Sequence, residues 1–324
     1  MFGGSDVAVS VASFAELPDL FGGTACPKTP HIPKKPGSRA MSTLKPSKSS
    51  PPDIPSLRPD HSPLETMTLP SHLQFTGRHA FQRGTIPLPA SRLMTEINPP
   101  EQGIFIPKIV SKPLKPGHGI KIGIFAGIHG DEEAGTLAVQ DLIRWAAEKP
   151  EELHDYELHF FPICNPTGRT LGTRHSHSGL DLNREFWFGS TEPEVVYLES
   201  ELRREKYDGI ISLHSDDTSD GCYGFVSGAL LSEHLLEPAL QASSEFLPRN
   251  EQHIIDGFLA SRGIIKEGYL GILSAPPEQR PHALEIVFET PALAPMNAQV
   301  KATVAAVKRI LVEYRELQAY AANL

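Results

Sequence analysis

The chain has 324 residues, 40% hydrophobic and 21% charged, with a formal net charge of −9 and a pI near 5.9. That composition is ordinary for a globular protein. Nothing in it suggests a nucleic-acid binder, which usually shows a basic face, and no apolar run reaches the length of a membrane span. Cys26, Cys164 and Cys222 are odd in number and lack CxxC spacing, so a disulfide framework is not expected and a reducing compartment is. Asp6, Glu16 and Asp19, with no early basic cluster, argue against a secretory signal and for a cytoplasmic protein.

Residues 1–75 differ from the rest. Between Pro27 and Pro70 stand 11 prolines and seven Lys/Arg against three acidic residues. Such a segment buries too little apolar surface to offset its ordering entropy, and is expected to be a disordered Pro/Ser-rich tail. Residues 76–324 read as one domain. Thr85–Leu88 and Gly103–Pro107 are short extended segments, their prolines favouring edges or strand ends. Lys121–Ile128 is a buried-strand candidate ending in His129-Gly130-Asp131-Glu132. Asp131–Glu148 predicts a helix, with acids in its first turn and an apolar stripe of Ala134, Leu137, Ala138, Leu142 and Trp145.

Tyr156–Cys164 predicts a second strand, stopped by a turn at Asn165-Pro166-Thr167-Gly168. A loop rich in glycine and histidine runs to Arg184. Glu192–Lys206 predicts a helix and Tyr207–Leu213 a strand delivering His214. Ala229–Phe246 predicts a helix, and Ala283–Phe288 a strand delivering Glu289. Val300, Val304, Val307, Leu311 and Tyr314 then mark an amphipathic C-terminal helix. Alternating strands and helices imply an α/β fold: a mixed, largely parallel twisted sheet with helices on both faces. Such sheets bind ligands beyond the carboxyl ends of their strands, where His129, His214 and Glu289 fall.

An imidazole and a carboxylate at HxxE spacing can share one ion, and a third ligand would complete a zinc site with one position open. His129 and Glu132 form the pair, and His214 in Ser212-Leu213-His214-Ser215 is the candidate third ligand. Between them lie Asn165-Pro-Thr-Gly168, Arg174 and Gly179-Leu-Asp-Leu-Asn183-Arg184. Over residues 120–292 this ordered pattern resembles the zinc carboxypeptidase family, including its succinylglutamate desuccinylase/aspartoacylase deacylase relatives.

The resemblance implies one Zn²⁺ ion on His129, Glu132 and His214, with Arg174 at the oxyanion and Asn183-Arg184 on a substrate carboxylate. It also implies Glu289 as general base and Tyr269 as a capping residue. Glu285 shares a strand face with Glu289, so periodicity alone does not separate the two. Asp181 is a candidate orienting group for Arg184 or a ligand histidine, or equally a loop cap. The family often carries Asp before the third ligand, where this chain has Leu213. The acidic loop Asp216-Asp217-Thr-Ser-Asp220-Gly-Cys-Tyr223-Gly-Phe225 is either solvated or selective for a cationic substrate group, and His175 and His177 are exposed loop residues or substrate contacts.

The implied function is a zinc-dependent hydrolase cutting an amide beside a free carboxylate, of metallocarboxypeptidase type. The alternatives are an N-acyl amino acid deacylase and an inactive zinc-binding scaffold. The partner is a small peptide or N-acyl amino acid. No nucleic-acid or membrane partner is expected, and oligomeric state is not legible.

Overall fold

The computed structural model describes residues 93–96, 104–114, 119–227 and 229–321. The expected 1–75 tail, Cys26 and the Thr85–Leu88 segment lie outside the described residues. The strands are β1 (Leu93–Glu96), β2 (Lys108–Ser111), β3 (Ile120–Ala126), β4 (Tyr156–Phe161) and β5 (Gly209–Asp216). They continue with β6 (Tyr223–Val226), β7 (Ile254–Ile255), β8 (Phe258–Ser261), β9 (Ile264–Ile265) and β10 (Leu284–Pro291). The helices are α1 (Glu133–Glu148), α2 (Pro166–Leu171), α3 (Pro193–Glu205), α4 (Ala229–Leu231), α5 (Glu237–Ser243) and α6 (Met296–Ala321). Among the described residues, no helix is long and apolar enough to cross a membrane.

The sheet is mixed, as expected, with strand order β1-β2-β4-β3-β5-β10-β6-β9-β8-β7. Its centre, β4-β3-β5-β10, is parallel, whereas β2 and β6 flank that centre in antiparallel pairings. Both faces of the centre are covered, so its strands read as near-continuous apolar runs rather than alternating ones. Successive side chains still divide between two cores. Ile122, Ile124, Ile211, Leu213, Ile286 and Phe288 pack with residues of α1, α5 and α6. Phe125, Phe161 and Ile210 pack instead with Val195, Leu198 and Leu202 of α3. Buried Lys108 joins α3 to β2, meeting Glu201 at 3.2 Å and Glu205 at 3.0 Å.

The structure departs from the sequence reading in several places. Residues 104–107 hold no regular structure, and β2 begins at Lys108. Helix α1 starts at Glu133 rather than Asp131, because Glu132 leaves helical geometry (φ −87°, ψ 77°). The Asn165-Pro-Thr-Gly turn is the opening of α2. Asn165 caps it by accepting from Gly168 N at 2.7 Å, and Pro166 takes the first helical position, where its missing N–H costs nothing. The helix expected over Ala229–Phe246 is broken into α4, a π turn at Ser232–Leu236, and α5. Pro238 falls in the first turn of α5, where it cannot continue a preceding α-helical ladder.

Asn165 also donates from Nδ2 to the Ile128 carbonyl at 3.2 Å, tying α2 to the turn after β3. Asn165→Ala should therefore lower stability by about 1–3 kcal/mol, read as a lower urea midpoint at unchanged slope. An unchanged midpoint would contradict that role.

Candidate active site

Two glycines shape the turn that carries the first two ligand candidates. Gly127 (φ +63°) reverses the chain after β3. Gly130 packs on α2 so closely that a Cβ there would stand 2.1 Å from the Gly168 carbonyl carbon. The turn delivers His129 and Glu132 beneath the end of β5. His129 Nδ1 lies 2.5 Å from Glu132 Oε1, and His214 Nδ1 lies 2.9 Å from Glu132 Oε2. Ser215 N also donates to Glu132 Oε2, at 3.1 Å. All three side chains are buried or nearly so.

Burial alone would raise the Glu132 pKa, but His214 and His129 pull it down to about 2. Burial would lower that of His129, yet its hydrogen bonds to Asp181 and Glu132 raise it above 6.5. One ligand atom from each of His129, Glu132 and His214 can be chosen so that all lie within 4.8 Å of one another. Two imidazole nitrogens and a carboxylate oxygen form a donor set suited to zinc. The residues fit the ion that the resemblance implies.

Asp181 organises the next layer. Its Oδ1 faces His129 Nε2 at 3.0 Å, and its Oδ2 accepts from Arg174 Nη2 at 3.0 Å and Nε at 3.2 Å. Its side chain thus orients the candidate ligand His129 and Arg174; Arg184 is joined to it through the backbone, Arg184 N donating to the Asp181 carbonyl at 3.0 Å. Asp181 also caps the single turn Leu182–Arg184 through Asn183 N. Asn183 Oδ1 accepts from Leu273 N at 2.9 Å, which fixes the amide with its NH₂ as the remaining polar group. The Arg184 guanidinium stacks 4.0 Å from the Tyr269 ring centroid, and Tyr269 donates to the Asp256 carbonyl at 2.8 Å.

Glu289 stands directly beside His214 in the β10–β5 register. Burial pushes its carboxyl up to about 8; His214 opposes that rise, while Glu132, Asp216 and Asp256 add to it. Glu285, four residues earlier on the same face of β10, accepts from Ala275 N at 2.7 Å and does not line the cavity.

His129, Glu132, Arg174, Asn183, Arg184, His214, Tyr269 and Glu289 all border one cavity of about 500 Å³. His175 and His177 do not border it. Tyr223 and Phe225, expected in the acidic loop, lie on β6 and also line it, as does Asp256, which sequence reasoning missed. The Asp256-Gly257 pair, with both residues at positive φ, is a hairpin-turn signal that could have placed Asp256 at a loop tip.

Comparison with known proteins bears out the resemblance. Residues 118–249 match the succinylglutamate desuccinylase/aspartoacylase catalytic domain. The matched segment contains His129, Glu132, Arg174, Asn183, Arg184 and His214, and stops short of Tyr269 and Glu289. No curated protein sequence matches the chain. Solved structures share its fold. A Shewanella baltica OS155 protein, described provisionally as a metallopeptidase, is 22% identical with TM-score 0.59, covering 68% of this chain and 85% of its own. A similarly described Shewanella denitrificans OS217 protein is 20% identical with TM-score 0.58, covering 68% and 83%. A Pseudomonas aeruginosa metallo-carboxypeptidase in complex with (2-guanidinoethylmercapto)succinic acid is 18% identical with TM-score 0.54, covering 70% and 65%. The chain therefore has the zinc carboxypeptidase/deacylase fold.

A carboxylate behind a ligand histidine sets its tautomer and basicity. Asp181→Asn should weaken zinc binding by about 10–100-fold, measured by competition with a chelating dye. Undiminished affinity would show that Asp181 serves only as a loop cap.

Proposed function

We propose that the chain is a zinc-dependent hydrolase that cleaves an amide bond next to a free carboxylate, of metallocarboxypeptidase type. The observation that carries this reading is the position of Glu289, level with His214 and facing the cavity that holds His129, Glu132 and Arg174. Zinc, when bound, lowers the pKa of its water to about 7 and so supplies a nucleophile at neutral pH.

The chain's own groups supply the rest. Glu289, kept ionised when a cation on His129, Glu132 and His214 offsets the burial that raises its carboxyl, takes the proton of the attacking water and passes it to the departing nitrogen, a contribution of about 10²–10⁴-fold. Arg174, held rigid by Asp181, presents its remaining N–H to the carbonyl oxygen as charge grows there, worth about 10²–10³-fold for one donor. Arg184 offers a planar fork, and Asn183 its NH₂, to the substrate carboxylate, which fixes the scissile bond. Tyr269 covers Arg184 and keeps bulk water from that contact. The carboxylate-bearing ligand of the similar Pseudomonas aeruginosa enzyme fits this division of roles.

A second reading, an N-acyl amino acid deacylase, is favoured by the family match over residues 118–249. Zinc-loaded protein assayed on short peptides beside N-acyl amino acids separates the two, since turnover of acylated amino acids alone would exclude the peptidase.

Glu289→Gln should retain zinc and lower kcat by about 10²–10⁴-fold. The same change should stabilise the metal-free protein as pH rises. The folded Glu289 pKa lies above the unfolded value, so the wild type loses stability between pH 4.5 and about 8. Glutamine escapes that loss: its advantage is absent near pH 4.5 and complete above 8. Full activity in Glu289→Gln would remove Glu289 from the mechanism.

A further inference from the structure

Seven carboxylates border the cavity: Asp131, Glu132 and Glu133 in the His129 turn, Asp216, Asp217 and Asp256 around Tyr223 and Tyr269, and Glu289 between the groups. Arg174 and Arg184 are the guanidiniums among the lining residues. Carboxylates remain in excess even with a divalent ion at the triad. Arg174 is already engaged by Asp181, which leaves Arg184 for one substrate carboxylate. A second carboxylate on the substrate would meet Asp216, Asp217 and Asp256.

The same end of the cavity has a floor of Tyr223, Phe225 and Val287, with the Glu289 carboxyl at its edge. Antiparallel pairing sets Val287 opposite Phe225 and Glu289 opposite Tyr223, so four side chains share one face of β10 and β6. All four line the cavity. Asp216 is held in place beside this floor: its Oδ1 accepts from Thr218 N and Oγ1 at 2.7 Å each, and its Oδ2 accepts from Tyr223 OH at 2.9 Å. Asp256 stands at the tip of the β7–β8 hairpin, and Asp217 follows the end of β5; both are exposed. A floor of two aromatic rings and Val287 under a rim of carboxylates suits a side chain with an aliphatic stem and a charged head.

Resting on the hydrolase reading above, we infer that this end of the cavity selects substrates whose carboxylate-bearing residue ends in a cation, an ammonium or guanidinium, and disfavours dicarboxylic residues. Opposite charge in a cleft raises both encounter rate and discrimination, and like charge rejects. The preference therefore weakens with added salt.

The test uses the zinc-loaded protein with matched lysine, norleucine and glutamate members of an N-acetyl amino acid series and an N-benzoylglycyl dipeptide series. The lysine member of the cleaved series should exceed norleucine by about tenfold in kcat/KM, and glutamate should fall below norleucine. The double variant Asp217→Asn/Asp256→Asn should cut the lysine-to-norleucine ratio about tenfold. Asparagine accepts the left-handed backbone of Asp256 (φ +51°), so the hairpin is kept. Calorimetric titration of N-acetyl-lysine and N-acetyl-glutamate into zinc-loaded Glu289→Gln protein gives the same comparison without turnover, and the lysine compound should bind tighter. Amides cut with glutamate equal to or better than lysine, or a ratio unmoved by the double variant, would overturn the inference while leaving the hydrolase intact. Failure to cut any member of either series would overturn the hydrolase reading itself.

Discussion

The site depends on one buried carboxylate. Each oxygen of Glu132 meets an imidazole, His129 at 2.5 Å and His214 at 2.9 Å, and Ser215 N adds a third contact at 3.1 Å. Those contacts join three parts of the chain: the turn after β3, the entry to α1 and the end of β5. Taking a carboxylate out of water is costly unless its lone pairs are satisfied. Here they are satisfied by the groups that would share an ion with it. The departure of Glu132 from helical geometry, which delays the start of α1, is the local consequence.

The surrounding architecture supplies direction. Parallel pairing of β3, β5 and β10 brings their carboxyl ends to one edge, where open α/β sheets bind ligands. Glu289 arrives there because β10 runs in register beside β5. Asp181 links the candidate ligand His129 to the far side of the cavity by holding His129, Arg174 and the Asn183 turn at once. Gly271 (φ +74°) lets the Tyr269 segment lie against Arg184, since a Cβ there would stand 2.3 Å from the Arg184 carbonyl oxygen. Positions of this kind leave little freedom for the groups facing the cavity.

Much of this was legible in the sequence because the informative residues sit where strands end and turns begin. His129, Glu132, Asn183 and Arg184 lie in compact motifs, and the central strands carry long apolar runs. Glu285 and Glu289 illustrate a limit, for they share a face and differ only in position along β10, which periodicity does not encode. Strands β6 to β9 have two to four residues each, too few for a period to show. Tyr223 and Phe225 therefore read as loop, and Asp256 was missed. The break between α4 and α5 was signalled by Pro238, but the apolar spacing around it reads as one helix. Asp181 was visible as an orienting group, whereas its choice of His129 and Arg174 over Arg184 is set by tertiary packing.

X-ray absorption on the zinc-loaded protein tests the three-ligand centre most directly. Two imidazole nitrogens at about 2.0–2.1 Å and carboxylate oxygen at about 2.0–2.2 Å are expected, with one imidazole lost in His214→Ala. A shell of oxygen alone, or one unchanged in His214→Ala, would contradict a metal centre built on His129, Glu132 and His214.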